Sequence, residues 1–386
     1  GFDWYGNPPA KLVLTAYDIS GGTIPPTQAE ELNQLKKLGF KTDWHWQVCG
    51  NMDEVIRFWR TWEKRKHAQE FWVDGVVLKV NQKKYQDALG YTGKAPRWAI
   101  ALKFSAEQGT TKIKNIYVQV GRTGALTPVA LMDPVQLAGT TVTHATLHNF
   151  DEIARLDVRI GDTVVVEKAG DIIPKVVRVL EKMRTGKEKK VREPKQCPVC
   201  KSAVLRRLIA DKKQGKSAAL FCANLRCYGQ ALERIAHFVG KRAFDIDGLG
   251  EKIVAQLLDE GLIKNAADIF TLEKGDIEPL ERFAEKSADN LIKAIQAAKK
   301  VTLPRFLFGL GIPQVGEETA LRLADHFQTL RKMLAASLAE LDTVPDVGPN
   351  VARSIHEFSQ DKNNRRLIEE LQENGVRVEN TKYEIR

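Results

Sequence analysis

The pattern of hydrophobic and polar positions changes character twice along the 386 residues. Up to about residue 104, apolar runs at 12–17, 72–80 and 98–104 predict strands. Between them, Leu32, Leu35 and Leu38 recur at helical spacing behind Thr27-x-x-Glu30, a capping-box sequence, and Gly39 ends that helix. A second helix opens at Asn51, with Glu54 three residues on, and carries Val55, Ile56, Phe58 and Trp59. From about 111 to 180 the helical period disappears. Short β-rich runs at 113–120, 126–131, 140–143, 163–167 and 175–180 are separated by glycine turns, and five such strands are the complement of an OB barrel.

Beyond residue 231 the chain becomes helical and repeats itself. Ile246-Asp-Gly-Leu-Gly-Glu-Lys252 aligns with Leu280-Glu-Arg-Phe-Ala-Glu-Lys286, Ile312-Pro-Gln-Val-Gly-Glu-Glu318 and Val344-Pro-Asp-Val-Gly-Pro-Asn350. The positions before each helix, Gly250, Ala284, Gly316 and Gly348, are 34, 32 and 32 residues apart, the regularity of a helix–hairpin–helix repeat.

Composition narrows the class. At 43% hydrophobic and 28% charged residues the chain folds, and its length suits two to four domains. No apolar run reaches the roughly 20 residues of a membrane span. The amino terminus, Gly-Phe-Asp-Trp-Tyr, has no basic segment followed by an apolar one and reads as a cut end, not a signal peptide. Net charge is 59 − 49 = +10, and residues 181–216 hold 13 basic residues against Glu181, Glu188, Glu193 and Asp211. That block is either a solvated linker or an attractor of polyanions, of which nucleic acid is the commonest.

The five cysteines are too few for a disulfide scaffold. Four of them, Cys197-x2-Cys200 and Cys222-x4-Cys227 across a 21-residue loop, have the spacing that reaches the corners of one tetrahedral zinc; the alternative is buried free thiols. Four thiolates leave a metal no open position, so the expected zinc is structural and the compartment reducing. Cys49 reads as a core residue. Glycines at Gly248, Gly250, Gly316 and Gly348 would bring main-chain N–H groups to helix amino termini, where phosphate binds without regard to base sequence. A repeat that merely packs on itself is the competing reading. Ala284 makes the second hairpin a weaker candidate. In Asp74-Gly-Val-Val-Leu-Lys79, Lys79 shares a strand face with Val77 and Gly75, and Lys103 shares one with Ala101 and Ala99. Both are strand-end surface residues or a pair aimed at one anion.

Taken in order, the motifs resemble those of bacterial NAD-dependent DNA ligases. They are Asp74-Gly-Val-Val-Leu-Lys79, Ala95-Pro-Arg-Trp-Ala-Ile-Ala-Leu-Lys-Phe104, Gln119-Val-Gly-Arg-Thr-Gly124, Ala145-Thr-Leu-His-Asn149, Gly170-Asp-Ile-Ile-Pro-Lys175, the four cysteines and the four hairpins. The resemblance implies a multidomain α+β chain: residues 1–104 as the carboxy-terminal half of an adenylation (nucleotidyltransferase) domain, 105–190 as an OB fold, 191–230 as a four-Cys zinc finger, and 231–386 as four helix-hairpin-helix repeats. It implies NAD and Mg²⁺ as cofactors beside the structural Zn²⁺, Lys79 and Lys103 at the adenylyl group, and Arg122 on the DNA backbone. The implied activity is sealing of nicks in duplex DNA, in replication and repair, through enzyme-AMP and DNA-adenylate intermediates. The expected setting is a monomer in the bacterial cytosol, associated with the nucleoid.

The chain departs from that family where the chemistry starts. The nucleophilic lysine belongs to a Lys-x-Asp-Gly motif, and the nearest match, Trp72-Val-Asp-Gly75, has Trp in its place. The catalytic lysine is thus absent from this sequence, as is a carboxy-terminal BRCT domain. The loop between the cysteine pairs is also long, with Asp211-Lys-Lys-Gln-Gly-Lys216 inserted. Two readings stay open: a fragment of the ligase, or a non-catalytic clamp on duplex DNA that lacks the nucleophile.

Overall fold

The computed structural model describes residues 13–69, 73–92, 95–137, 139–168, 174–211 and 215–379. Trp72, Gly170–Ile173 of the fifth motif, Lys212–Gln214 of the inserted loop and the first 12 residues lie outside them. Among the described residues the chain divides into two compact units between residues 107 and 108.

In the first unit, α1 (Gln28–Lys37) begins where the Thr27 side chain accepts the Glu30 amide at 3.2 Å. Helix α2 (Met52–Arg65) begins the same way at Asn51, and the Glu54 carboxylate reaches back to the Gly50 amide. Then follow β1 (Gly75–Lys79), α3 (Lys83–Leu89) and β2 (Ala99–Lys103). Strands β1 and β2 form a two-stranded antiparallel sheet in which Gly75 faces Lys103 and Lys79 faces Ala99. A Cβ on Gly75 would sit 2.6 Å from the Leu102 carbonyl oxygen, so the strands meet this closely only because residue 75 is glycine. Leu35, Trp62, Trp98 and Phe104 are buried, while Leu14, Trp44, Val77 and Ile100 stand open to solvent. The strand expected at 12–17 is not present among the described residues 13–17. Ala16 makes one isolated bridge to Thr42, and with Val13, Leu14 and Tyr17 exposed that run has no apolar surface to lie on.

The second unit opens with a closed barrel of β3 (Glu107–Val120), β4 (Leu126–Leu137), β5 (Thr140–Thr146), β7 (Thr163–Lys168) and β8 (Lys175–Val179) in the order β3-β4-β5-β8-β7, the OB fold. Inward positions alternate along the strands, and Ala130, Met132, Val164 and Val166 are essentially solvent-free. Helix α4 (Phe150–Leu156) closes the gap between β5 and the short β6 (Arg159–Ile160), capped at Asn149 and ended by Asp157 in the left-handed conformation (φ 48°). After the barrel, β9 (Lys189–Lys190) pairs with β6. A hairpin of β10 (Val204–Asp211) and β11 (Gly215–Cys222) then leads to α5 (Tyr228–Val239).

Helices α6 (Glu251–Asp259), α7 (Lys274–Ile277), α8 (Glu285–Ala298), α9 (Leu303–Gly309), α10 (Glu317–Phe327), α11 (Leu330–Ala335), α12 (Leu338–Asp342), α13 (Pro349–Gln360) and α14 (Lys362–Glu373) make the hairpin array. They enclose one continuous apolar core with α5, in which Phe238 stacks on Phe244 at 3.9 Å between ring centroids. Its ends meet. Parallel strands β12 (Lys300–Thr302) and β13 (Arg377–Glu379) pair; the Asn265 side chain donates to Glu370 at 3.1 Å, and that of Asn374 to the Ala267 carbonyl at 2.9 Å.

Phe306 is fully buried in this core. Phe306→Ala is expected to cost about 3 to 5 kcal/mol, because the array cannot collapse onto the space left by a phenyl ring. Urea unfolding followed by far-ultraviolet circular dichroism reads the loss, and a change under about 1 kcal/mol would mean that the array is loosely packed there.

Candidate functional site

Three sites emerge, one in the first unit and two in the second. In the first unit, Lys79 ends β1 half-buried between two rings: its Nζ lies 5.3 Å from the Tyr17 centroid and 5.8 Å from that of Trp98, and donates to the Tyr17 carbonyl at 3.4 Å. Behind it sits a carboxylate pair. The Glu31 side chain is wholly buried, accepts the Ile19 amide at 2.6 Å and pairs with Lys83, and Asp18 lies 3.7 Å from the same ammonium. Burial pushes the Glu31 carboxyl above its ordinary value, helped by the hydrogen bond it shares with Asp18. Burial also raises Asp18, but that shared bond and the charges of Lys79 and Lys83 outweigh it and leave Asp18 low. Burial pulls the Lys79 ammonium down, and Asp18 and Glu31 partly restore it. The site thus keeps a half-buried cation beside two aromatic faces, a setting suited to the phosphate and base of a nucleotide.

Lys103 is not part of that arrangement. It is exposed and bonded to Asp74. The antiparallel register puts it four residue pairs from Lys79, about 13 Å along the sheet, though on the same face. A single strand shows which face a side chain takes; how two lysines approach depends on the pairing register, which no local pattern records. The Asp18–Glu31–Lys83 group is a further feature that sequence reading missed, because its members lie 13 and 52 residues apart and none belongs to a recognisable motif.

The four cysteines do come together. All four sulfurs lie within 4.8 Å of one another, with Cys197 to Cys227 at 3.8 Å and Cys200 to Cys222 at 3.4 Å. Sulfurs about 3.8 Å apart are what a tetrahedral zinc with bonds of about 2.3 Å requires, so the cluster fits the ion. A knuckle positions the first pair: Lys201 takes φ 60°, its amide bonds back to the Cys197 carbonyl, and the Cys197 amide donates to Ser202. Cys222 is the last residue of β11, and Cys227 is the N-cap of α5. Hydrogen bonds from Ser202 hold the Cys200 thiol down to about 6, whereas burial pushes Cys222 up to about 12 and raises Cys227. Deprotonating the buried members needs a cation at the centre of the cluster, and four sulfur ligands close its coordination sphere.

The cluster also holds the barrel and array together. The Cys222 amide donates to the Gly124 carbonyl in the β3–β4 turn, where Gly124 is left-handed (φ 84°) and a Cβ would lie 2.7 Å from Nε2 of Gln230 on α5. Arg122, in the same turn, turns toward the array: its Nη1 would be 3.4 Å from a Cβ on Gly311 and is shielded from solvent with no protein hydrogen-bond partner. His237 neighbours Gly311 as well, contacts Phe308 through Nε2 and the carbonyl oxygen at 2.8 Å, and has its ring pKa lowered first by burial and then by the Arg122 charge.

The four hairpins are alike in a way the sequence only half displays. Gly248, Arg282, Gln314 and Asp346, at equivalent positions, are all left-handed (φ 81°, 69°, 66° and 65°). The residues two further on, Gly250, Ala284, Gly316 and Gly348, are helix N-caps in ordinary extended backbone. Glycine is therefore not needed at 250, 316 and 348 for backbone conformation, and a Cβ there would meet nothing within 4 Å. No side chain caps the first-turn amides of any of the four helices; at the second, Ser287 Oγ accepts the amide of the N-cap residue Ala284 itself at 2.8 Å. All four helix ends thus present open first-turn main-chain N–H groups.

An OB barrel joined by a four-cysteine module to a helix-hairpin-helix array, and preceded in the chain by a smaller α/β unit, defines a modular protein whose open helix ends are suited to phosphate. Family models match the same segments: the NAD-dependent DNA ligase adenylation domain at residues 9–107, the OB-fold domain of that ligase at 110–188, a SAM-like helix-hairpin-helix tandem at 241–297 and a helix-hairpin-helix motif at 305–368. Among curated proteins, the DNA ligase of Thermotoga neapolitana is 46% identical over 362 residues, covering 93% of this chain and 51% of the relative. That of Carboxydothermus hydrogenoformans is 46% identical over 378 residues, 97% of this chain and 55% of the relative. The chain belongs to the family of NAD-dependent DNA ligases and spans about half the length of the curated relatives it matches.

Cys197→Ser or Cys222→Ser is expected to drop zinc from one ion per chain to a fraction of that, because the ligand set is closed and each thiolate carries folding energy. Elemental analysis of chain purified without chelators measures it. Less than one zinc in the unmodified chain would leave the cluster a set of buried thiols.

Proposed function

We propose that the chain supplies the DNA-gripping and part of the nucleotide-binding machinery of an NAD-dependent DNA ligase acting on nicked duplex DNA. The observation that carries this reading is the set of open helix ends at Gly250, Gly316 and Gly348, where glycine answers no need of the protein's own backbone or packing. Glycine there leaves room for something outside the chain to approach the main-chain amides, and a phosphodiester is what those amides bind. On this reading Gly248 shapes the first hairpin by its left-handed backbone. Lys79 and Lys103 meet a bound adenylyl group from two ends of one sheet face, with positive charge placed where charge develops on phosphorus. Arg122 meets the DNA backbone at the junction of barrel and array. NAD supplies AMP, Mg²⁺ assists its transfer, and the zinc is structural. The protein acts as a monomer on the nucleoid in a bacterial cytosol. No helix among the described residues is long and apolar enough to cross a membrane.

The nucleophile for self-adenylation is absent from the sequence. Incubation with NAD and Mg²⁺ is therefore expected to leave the intact mass of this chain unchanged. A denaturation-resistant AMP adduct would show that another lysine serves.

Gly316→Val and Gly348→Val test the helix ends. Because a side chain at either position meets open space in permitted backbone, stability should change by no more than about 1 kcal/mol. Affinity for a nicked duplex in fluorescence anisotropy should fall about tenfold or more, with the salt dependence little altered, since main-chain amides carry no full charge. Unchanged affinity in both variants would remove the hairpins from the DNA interface.

A further inference from the structure

The basic stretch after the barrel is folded. Arg184 reaches into the barrel rim and donates to both Asp162 carboxylate oxygens, from Nε at 2.8 Å and Nη2 at 3.0 Å, to Asp157 Oδ2 at 2.8 Å, and to the Asp157 carbonyl at 2.5 Å. The Asp162 side chain is 0% exposed, and its Oδ2 also accepts the Arg159 amide. Next, Glu188 folds back onto the turn before it, accepting the amides of Thr185 at 2.8 Å and Gly186 at 2.9 Å; these bonds hold its carboxyl down at about 2. Strand β9 then pairs with β6, beside Gly161, whose left-handed backbone (φ 99°) favours glycine.

This fastening sorts the charges. Arg184 is taken up by two aspartates, Glu188 by the turn amides, and Glu193 by Arg206. Lys182, Lys187, Lys189, Lys190, Arg192 and Lys195 are exposed, and none forms an ion pair among the described residues. Six cations held on ordered backbone bind a polyanion without the ordering penalty of a flexible linker.

We propose that residues 182–195 are a preformed cationic ledge on the barrel that binds the phosphodiester backbone of duplex DNA, a contact separate from the hairpin helix ends. The proposal rests on the DNA-binding reading above. It adds to that reading a second, fully charged contact whose contribution depends on salt where that of the hairpins does not. Arg184 is a positioning residue for the ledge, and the exposed cations are its contacts.

The test uses the whole chain carrying K187Q, K189Q, K190Q and R192Q together, beside a control with K36Q, K37Q, K41Q and K64Q, which removes the same charge from exposed positions in the first unit. Affinity for a nicked duplex is measured by fluorescence anisotropy across a salt series. Each phosphate neutralised contributes about 0.9 to the slope of log affinity on log salt, so the ledge variant should be shallower than the unmodified chain by at least about 1 and by up to about 3.6. The control should shift by less than about half that amount. An unchanged slope in the ledge variant, with the Gly316→Val effect intact, overturns the ledge and leaves the DNA-binding reading standing. Equal flattening in the control also overturns it, since net charge alone then accounts for the change. Tighter binding to single-stranded RNA than to the duplex assigns the ledge to another polyanion and overturns the proposal as well. If the unmodified chain binds no duplex, the functional reading fails first and the ledge with it.

Discussion

The second unit depends on four sulfur atoms. Cys222 closes β11 and is bonded to the β3–β4 turn of the barrel, while Cys227 opens α5, whose far end is buried in the core of the hairpin array. Between barrel and array the chain therefore passes through a cluster less than 5 Å across. Apolar packing alone would leave such a joint free to slide, because hydrophobic contact is non-directional. Four thiolates on one tetrahedral zinc would fix it in distance and angle, and Gly124, Gln230, Arg122 and His237 pack around that joint.

The first unit follows different rules. Its sheet has two strands, and isolated pairs of strands are marginal in water. What holds it is polar and aromatic: capped helices, Trp98 flanked by Lys79 and Lys83, and a buried glutamate tied to Lys83. Breaking a buried pair by removing one partner is costly, so the carboxylates beside Lys79 belong to the architecture as much as to the electrostatics around that lysine.

Much of this was legible in the sequence, wherever structure follows from neighbours in the chain. Thr27 and Asn51 cap their helices, five β-rich runs close into a barrel, the cysteine spacing gathers four sulfurs, and the interval from Gly250 to Gly348 marks four hairpins. What stayed hidden depends on residues remote in sequence. The β1–β2 register separates Lys79 from Lys103. The 181–190 stretch looks like a linker because the aspartates that bind Arg184 precede it by 22 and 27 residues. The hairpin glycines mislead differently: the left-handed turn falls at Arg282, Gln314 and Asp346, where composition gives no hint, and the glycines at 316 and 348 sit two positions later in ordinary extended backbone with open space beside them.

The hydrogen bonds from Asn265 and Asn374 and the pairing of β12 with β13 change what kind of object the array is. Helical repeats stacked in a line obey nearest-neighbour energetics, fray from their ends and can lose one unit while the others persist. Here the last helix returns to the first repeat, and the line becomes a ring with no free terminus from which to fray. A ring of this kind unfolds as a whole or not at all. Load placed on the fourth hairpin is shared at once with the first, so the four helix ends keep a fixed spacing and act as one rigid unit.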